Sequence, residues 1–173
     1  MQWVIDLVGP MLTAPANKEM MIVATDYFTK WIEAEDLSST KEADVERFIW
    51  KNIICRFNCL QSIVTDNGTQ IVGRQTTAFL AKYGIKQHLS TPRYPQGNDQ
   101  AEASNKIVLD CLKERLEGAE VKWVDGLPRV LWAYRTTKRR SIGETPFSLA
   151  YGNRSNHSPT HHSPFHEHRG GQS

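Results

Sequence analysis

The sequence lacks any apolar run that approaches the roughly 18 residues needed to cross a bilayer, so we expect neither a membrane-spanning helix nor a membrane partner. Its N-terminal stretch has no basic region and reaches an acid at Asp6, which argues against a secretory signal peptide. An excess of one charge is also missing, because 21 Lys and Arg against 19 Asp and Glu leave a net charge of only +2. Charge alone therefore does not indicate a nucleic-acid-binding protein. These absences favour an intracellular protein, either nuclear or cytoplasmic.

Cysteine is scarce, and its placement excludes a disulfide framework. The three cysteines are Cys55, Cys59 and Cys111. The first two are close in sequence, but no second pair follows, as a structural zinc site would require. We therefore expect reduced and mostly buried thiols.

Composition changes near residue 153 and predicts one domain followed by a tail. Residues 1–152 carry nearly all the apolar periodicity, whereas residues 153–173 are rich in His, Ser and Pro and are expected to be disordered. The tail holds five of the six histidines, His157, His161, His162, His166 and His168. These histidines have no fixed spacing on a rigid element, so they do not predict a metal site.

Apolar periodicity predicts an α/β domain with a five-stranded mixed sheet flanked by helices. Strands are expected at residues 3–8, 20–26, 30–35, 61–65 and 85–89. Helices are expected at about residues 40–57, 76–82, 100–117 and 122–136, with Gly84 ending the second of them. Short links between the first three strands favour hairpins, and the later strands need helical crossovers.

Three carboxylates are placed where they could form a divalent-metal site. Asp6 lies inside the first predicted strand, and Asp66 ends the fourth apolar run. Glu102 lies in the first turn of a predicted helix, with 35 residues between it and Asp66. If the two strands are neighbours and the helix crosses them, the carboxylates converge. Such close like charges need a cation, and oxygen ligands suit a hard cation such as Mg²⁺.

Each acid also has a purely structural interpretation. Asp6 could face solvent, although Asp is depleted in strands and this one lies in an apolar run. Asp66 could open a turn with the Asn-Gly pair that follows it. Glu102 could form a capping box with Asp99. It is the joint pattern of all three that favours a metal site.

An ordered series of motifs makes the chain resemble the catalytic core of a retroviral-type integrase, with the greatest similarity to plant Gypsy-type long-terminal-repeat retrotransposons. The matching segments extend from Trp3 to Gly152 and read IDLVGP, DYFTKW, IVTDNGTQ, YPQGN, QAE, WAYRTT and ETPFSL. The resemblance implies a ribonuclease H-like fold and assigns Asp6, Asp66 and Glu102 as the metal-binding DDE acids. It further implies two Mg²⁺ or Mn²⁺ ions, DNA partners (element ends and target DNA), and a homodimer or higher oligomer.

Further residues are candidates for DNA contact. Lys106 lies one helical turn after Glu102, where it could reach a phosphate. Arg135, Lys138, Arg139 and Arg140 form a short basic cluster that could bind phosphates or could simply be a solvated surface. Gln96 and Asn98 are candidates only because of the resemblance.

The sequence departs from the family pattern in several places. Asp99 stands where the family usually has glycine, and Asn58 and Leu60 replace a usual glycine and proline. The family's zinc-binding N-terminal and DNA-binding C-terminal regions are not found in these 173 residues. Two hypotheses follow: a core that cuts and joins DNA strands, or a truncated, non-enzymatic remnant that at most binds nucleic acid or dimerises. A ribonuclease H proper would need a different set of acids.

Overall fold

The structure is a computed structural model that describes residues 1–11, 17–57, 60–65, 73–89, 106–108, 110–111, 123–139 and 143–152. The predicted tail over 153–173 and the candidate residues Asp66, Gln96, Asn98, Glu102 and Arg140 lie outside these residues. Within the described part of the chain, no helix is long and apolar enough to span a membrane.

A five-stranded mixed sheet forms the centre of the fold, as the sequence predicts. The strands are β1 (Gln2–Val8), β2 (Met20–Asp26), β3 (Ile32–Leu37), β4 (Ser62–Thr65) and β5 (Lys86–Leu89). Their spatial order is β3-β2-β1-β4-β5. The first three strands pair antiparallel, whereas β4 pairs parallel with both β1 and β5. The middle position of β1 therefore joins the antiparallel and parallel halves of the sheet.

Helices cover both faces of this sheet. A continuous helical run begins as α1 (Glu42–Phe48), passes through a π-helical segment (Ile49–Ile54) and ends as α2 (Cys55–Phe57). The later helices are α3 (Arg74–Lys82), α4 (Trp123–Thr136) and α5 (Pro146–Tyr151). Residues 106–108 and 110–111 are helical as well.

The two sheet faces bury separate apolar clusters. The first cluster joins Trp3 and Ile5 of β1 to buried residues of α1 and the π-helical segment, such as Phe48 and Ile53. The second joins the opposite face, including Val23 of β2, to Val108 and to a buried stripe on α4. The α4 residues of this stripe are Trp123, Leu127, Val130, Leu131 and Tyr134. The residues of β1 and β2 are divided between the two clusters, because successive side chains in a strand point to opposite faces of the sheet.

The third strand begins two residues later than predicted. The carboxylate of Asp26 accepts hydrogen bonds from the backbone N–H (2.9 Å) and the hydroxyl (2.7 Å) of Thr29. These bonds hold a tight turn that ends at Lys30, whose φ is +61°. The apolar pattern does not reveal this turn because Asp26 makes it through its side chain, so strand pairing starts only at Ile32.

Helix α5 is absent from the predicted elements, although the sequence contains a signal for it. Thr145 accepts a hydrogen bond from the backbone N–H of Ser148 at 3.0 Å, and Pro146 occupies the first helical turn. A Thr-Pro pair of this kind is a typical helix start. The cysteine prediction is also wrong in one respect, because Cys55 is exposed; both cysteines in the described residues, Cys55 and Cys111, are free.

Gly84 confirms the predicted end of α3. Its φ is +68°, and a side chain there would meet no heavy atom within 4 Å. We expect Gly84→Ala to lower the free energy of unfolding by about 1 kcal/mol, purely through backbone strain. Gly84→Asn should cost less, since Asn tolerates left-handed dihedrals. Urea denaturation of both variants tests this, and equal losses for the two would contradict the backbone explanation.

Candidate metal and nucleic-acid site

Asp6 is the one predicted metal ligand that the structure describes, and it is half-buried in the middle strand of the sheet. It pairs with Val23 of the antiparallel neighbour β2. Directly opposed residues of antiparallel strands share a sheet face. Asp6 therefore lies on the face that carries the second apolar cluster, to which Val23 belongs.

The parallel pairing of β1 with β4 ends next to Asp6. Val4 pairs with Val64, and Ile5 pairs with Thr65, the last residue of β4. Val64 shares the face of Val4 and hence the face of Asp6, because β1 alternates. The first and fourth strands are thus neighbours, which is the condition that the sequence analysis set for Asp6 and Asp66 to lie close together. Asp66 is the next residue in sequence after Thr65 and lies outside the described residues.

The helical segment at 106–108 approaches the same face of the sheet. Val108 is fully buried in the cluster that contains Val23. Lys106 is exposed on this segment, two residues before Val108. Glu102 precedes Lys106 by four residues in the sequence, so the chain that carries it leads into a helix packed against the Asp6 face.

A complete metal site is not visible in the described part of the chain. No group of three or more His, Cys, Asp or Glu side chains that could hold a metal occurs among those residues. Two of the three predicted ligands, Asp66 and Glu102, fall outside them. The chemistry of the predicted set fits Mg²⁺ or Mn²⁺, because all its donors are carboxylate oxygens.

A second strand-borne acid, Glu33, is buried and paired instead of facing solvent. Its Oε1 accepts hydrogen bonds from Trp31 Nε1 at 2.8 Å and from Arg56 at 2.6 Å. Its Oε2 accepts one from Arg135 at 2.7 Å. Glu33 was not among the predicted site residues, although an acid beside apolar Ile32 carries the same sequence signal that identifies Asp6. Glu33 thus joins β3, α2 and α4 through one carboxylate.

The guanidinium group of Arg135 binds partners within the protein. Besides Glu33, its guanidinium donates to the backbone carbonyl of Ile32 at 2.9 and 2.6 Å, and it lies 4.5 Å from the centre of the Trp31 ring. Burial lowers the pKa of Arg135, while the Glu33 carboxylate opposes this effect and the Arg56 charge adds to it. DNA binding by Arg135 stays a prediction, but these contacts give the residue a structural role that basic clustering did not indicate.

The other described members of the basic cluster differ from one another. Arg139 donates to the carbonyl oxygen of Tyr134 at 3.1 Å and lies over that ring, 3.6 Å from its centre. Lys138 is exposed. Because Arg135 and Arg139 are held against the protein, Lys138 and Lys106 are the described candidates whose charges face solvent.

Comparisons with known proteins agree on one protein family. The sequence model of the family "Integrase core domain" matches residues 1–95. The Gag-Pol polyprotein of avian reticuloendotheliosis virus is 30% identical over 152 residues, which are 87% of this chain and 13% of that protein. The Gypsy retrotransposon integrase-like protein 1 of Bos taurus is 24% identical over 143 residues, 83% of this chain and 28% of that protein. The chain thus spans less than a third of either relative.

Solved structures agree with the fold. The catalytic core domain of BIV integrase superposes with a TM-score of 0.71 at 19% identity, covering 86% of this chain and 92% of that one. A chain from the simian T-cell lymphotropic virus intasome in complex with PP2A regulatory subunit B56 gamma gives a TM-score of 0.75 at 16% identity, covering 99% of this chain and 59% of that one. At these identities the likeness establishes the fold, which is that of retroviral integrase catalytic cores, ribonuclease H-like.

We expect Arg135→Ala to lower the free energy of unfolding by about 2 to 3 kcal/mol. Removing one partner of a buried ion pair typically costs about 3 to 5 kcal/mol, and here Arg56 still contacts the Glu33 carboxylate. Arg135→Lys should recover only part of this loss, since lysine lacks the planar fork. Lys138→Ala, at an exposed position, should stay within about 0.5 kcal/mol of the parent. Urea denaturation at neutral pH measures all three, and a neutral Arg135→Ala would contradict the structural role.

Proposed function

Because this chain belongs to the integrase core domain family, we propose that it is a metal-dependent polynucleotidyl transferase core that cuts and joins DNA strands. The family performs DNA integration. The proposal for this chain is that Asp6, Asp66 and Glu102 bind the metal ions at which a phosphodiester is attacked in line.

One observation supports the proposal most strongly, namely the position of Asp6 in the middle strand, beside the end of β4. Ile5 pairs with Thr65 at the end of β4, and the next residue in sequence is Asp66. Val108, which follows Glu102 in the chain, packs on the sheet face that Asp6 shares with Val23. Asp66 follows in sequence a strand that pairs with β1, and Glu102 precedes in sequence a segment packed on the sheet face of Asp6. Both facts support the proposal that the three acids converge.

The carboxylates are the part of this chemistry that the chain itself supplies. Bound there, two Mg²⁺ or Mn²⁺ ions supply Lewis-acid charge for attack by water or a DNA 3′-hydroxyl and for departure of the leaving oxygen. The three carboxylates would hold the metal ions in position and neutralise part of their positive charge. Lys106, exposed on the helical segment beyond Glu102, binds a nearby backbone phosphate in this proposal. No covalent protein intermediate is needed.

The proposed partners are DNA and other copies of the chain. Element ends and target DNA would contact the exposed side chains of Lys106 and Lys138, with Gln96, Asn98 and Arg140 as further contacts. Assembly as a homodimer or larger oligomer is supported by the likeness to a chain from an intasome. We also propose a plant Gypsy-type element as the source, which the Gypsy name of one relative supports in part, and a nuclear or cytoplasmic location.

Strand-transfer reversal on a branched DNA tests the activity. Purified protein incubated with Mn²⁺ and a labelled branched substrate should release a shortened strand and a joined strand. Asp66→Asn should reduce this to background, because it removes a charged metal ligand while keeping the side-chain volume. The matched control is Asp125→Asn, an exposed acid at the start of α4, which should retain parental activity.

Thermal unfolding with and without Mn²⁺ separates the enzyme from a non-enzymatic remnant. A ligand at about a hundred times its dissociation constant stabilises the folded state by about 2.7 kcal/mol, so the unfolding temperature of the parent should rise by several degrees. Asp66→Asn should lose this rise. Activity that survives Asp66→Asn would refute the assignment of Asp66 as a metal ligand. A parent protein with neither activity nor metal-dependent stabilisation would instead support the alternative of a non-enzymatic remnant.

A further inference from the structure

The sheet face that carries Asp6 becomes more exposed to solvent towards β5. Val4 lies on this face, because it is two residues before Asp6 in β1. It pairs with Thr25 of β2 on one side and with Val64 of β4 on the other, and Val64 pairs in turn with His88 of β5. Along this row Thr25 and Val4 are 3% and 4% exposed, Val64 is half-buried and His88 is exposed. The face is therefore covered over β2 and open over β5.

Strand β5 places two polar side chains on the open part of this face. Lys86 is two residues before His88 in β5, so the two share a face, and both are exposed. Gln87, between them, points to the opposite face, where its Oε1 accepts a hydrogen bond from the hydroxyl of Thr77 in α3 at 2.9 Å. Lys86 and His88 consequently face away from α3 and towards the side of Asp6.

The charge of Lys86 is not neutralised by its surroundings. Residues 73–89, which include α3 and β5, hold the cations Arg74, Lys82 and Lys86 and no Asp or Glu. Strand β4, the neighbour of β5, has no charged residue. Lys86 makes no ion pair with any residue that the structure describes. The open part of the face thus presents a positive charge and, at His88, a ring N–H donor.

This surface lies within a few nucleotides of Asp6. Neighbouring strands are about 4.8 Å apart, so β5 lies about 10 Å from β1, and Asp6 is about 7 Å beyond Val4 along the strand. Each DNA strand carries one phosphate per about 3.4 Å of helix axis. A DNA strand that reaches a metal ion at Asp6 can therefore cross β5 within about three or four nucleotides.

We propose that Lys86 and His88 form a DNA-backbone contact beside the metal site. Lys86 pairs with a backbone phosphate, and His88 donates a hydrogen bond to the same phosphate or the next one. This inference rests on the proposed function, in which DNA is the substrate and Asp6 is a metal ligand. The competing explanation is that Lys86 only protects an edge strand from pairing with another chain, as edge lysines often do.

The test measures the affinity of the full chain for a fluorescently labelled DNA duplex over a series of NaCl concentrations, in EDTA. Each phosphate contact that is lost lowers the slope of log Kd against log salt by about 0.9. We expect this change for Lys86→Gln, with binding about fivefold weaker at about 0.1 M salt, because one released counterion is lost. Lys86→Arg keeps the charge and should keep the parental slope.

Lys82→Gln is the matched control. Lys82 is exposed in the same acid-free segment, but it lies on α3, which packs on the opposite sheet face through Leu80. Its removal should leave the slope at the parental value. His88→Ala removes one hydrogen bond and should weaken binding about threefold. Should Lys86→Gln lose the native circular dichroism spectrum, His88→Ala and Lys82→Gln decide the question.

The outcomes separate this inference from the proposed function. A Lys86→Gln variant with parental slope and affinity overturns the inference and leaves Lys86 as an edge-strand charge. Equal losses in Lys86→Gln and Lys82→Gln also overturn it, because net charge would then set the affinity. A parent that binds DNA with a Lys86-dependent slope but shows no strand-transfer reversal overturns the proposed function alone. A parent that does not bind DNA overturns both.

Discussion

Pairing of β1 on both of its edges is the constraint on which the rest of this fold depends. One edge pairs antiparallel with β2 and the other pairs parallel with β4. An antiparallel neighbour needs only a hairpin, but a parallel neighbour requires a crossover, which the helical run from α1 to α2 provides. That crossover covers one face of the sheet, and α4 covers the other. Asp6 is consequently a half-buried acid in the strand that lies between these two layers.

Glu33 and Asp6 show how similar sequence signals lead to different structural roles. Both are acids within apolar strand sequence. Glu33 lies in the edge strand β3, where Arg56 and Arg135 reach it from two helices and satisfy its charge inside the protein. Asp6 lies in the middle strand, beside the end of β4. An edge position gives side chains from flanking helices access to an acid, whereas the end of a parallel strand gathers residues from neighbouring strands, which suits a ligand site.

The acids proposed to bind metal depend on supports that are distant in sequence. Thr65, the residue before Asp66 in the sequence, is held by its pairing with β1, and the carboxylate of Glu42 in α1 caps α3 through the Thr76 N–H. The approach of the 106–108 segment depends on burial of Val108 in the second cluster. A site of this kind gains its geometry from the packing of whole elements.

Local sequence determined much of this protein. Alternation and apolar runs predicted all five strands and the mixed sheet, Gly84 marked the end of α3, and the ordered motifs around Asp6 and Asp66 indicated the family before any contact was visible. Tertiary structure alone decided that Arg135 pairs with Glu33 and that Glu42 caps α3. Those partners are separated by 102 and 34 residues. Periodicity and capping rules act over a few residues along the chain, whereas such pairs form only when the sheet and its helices have packed.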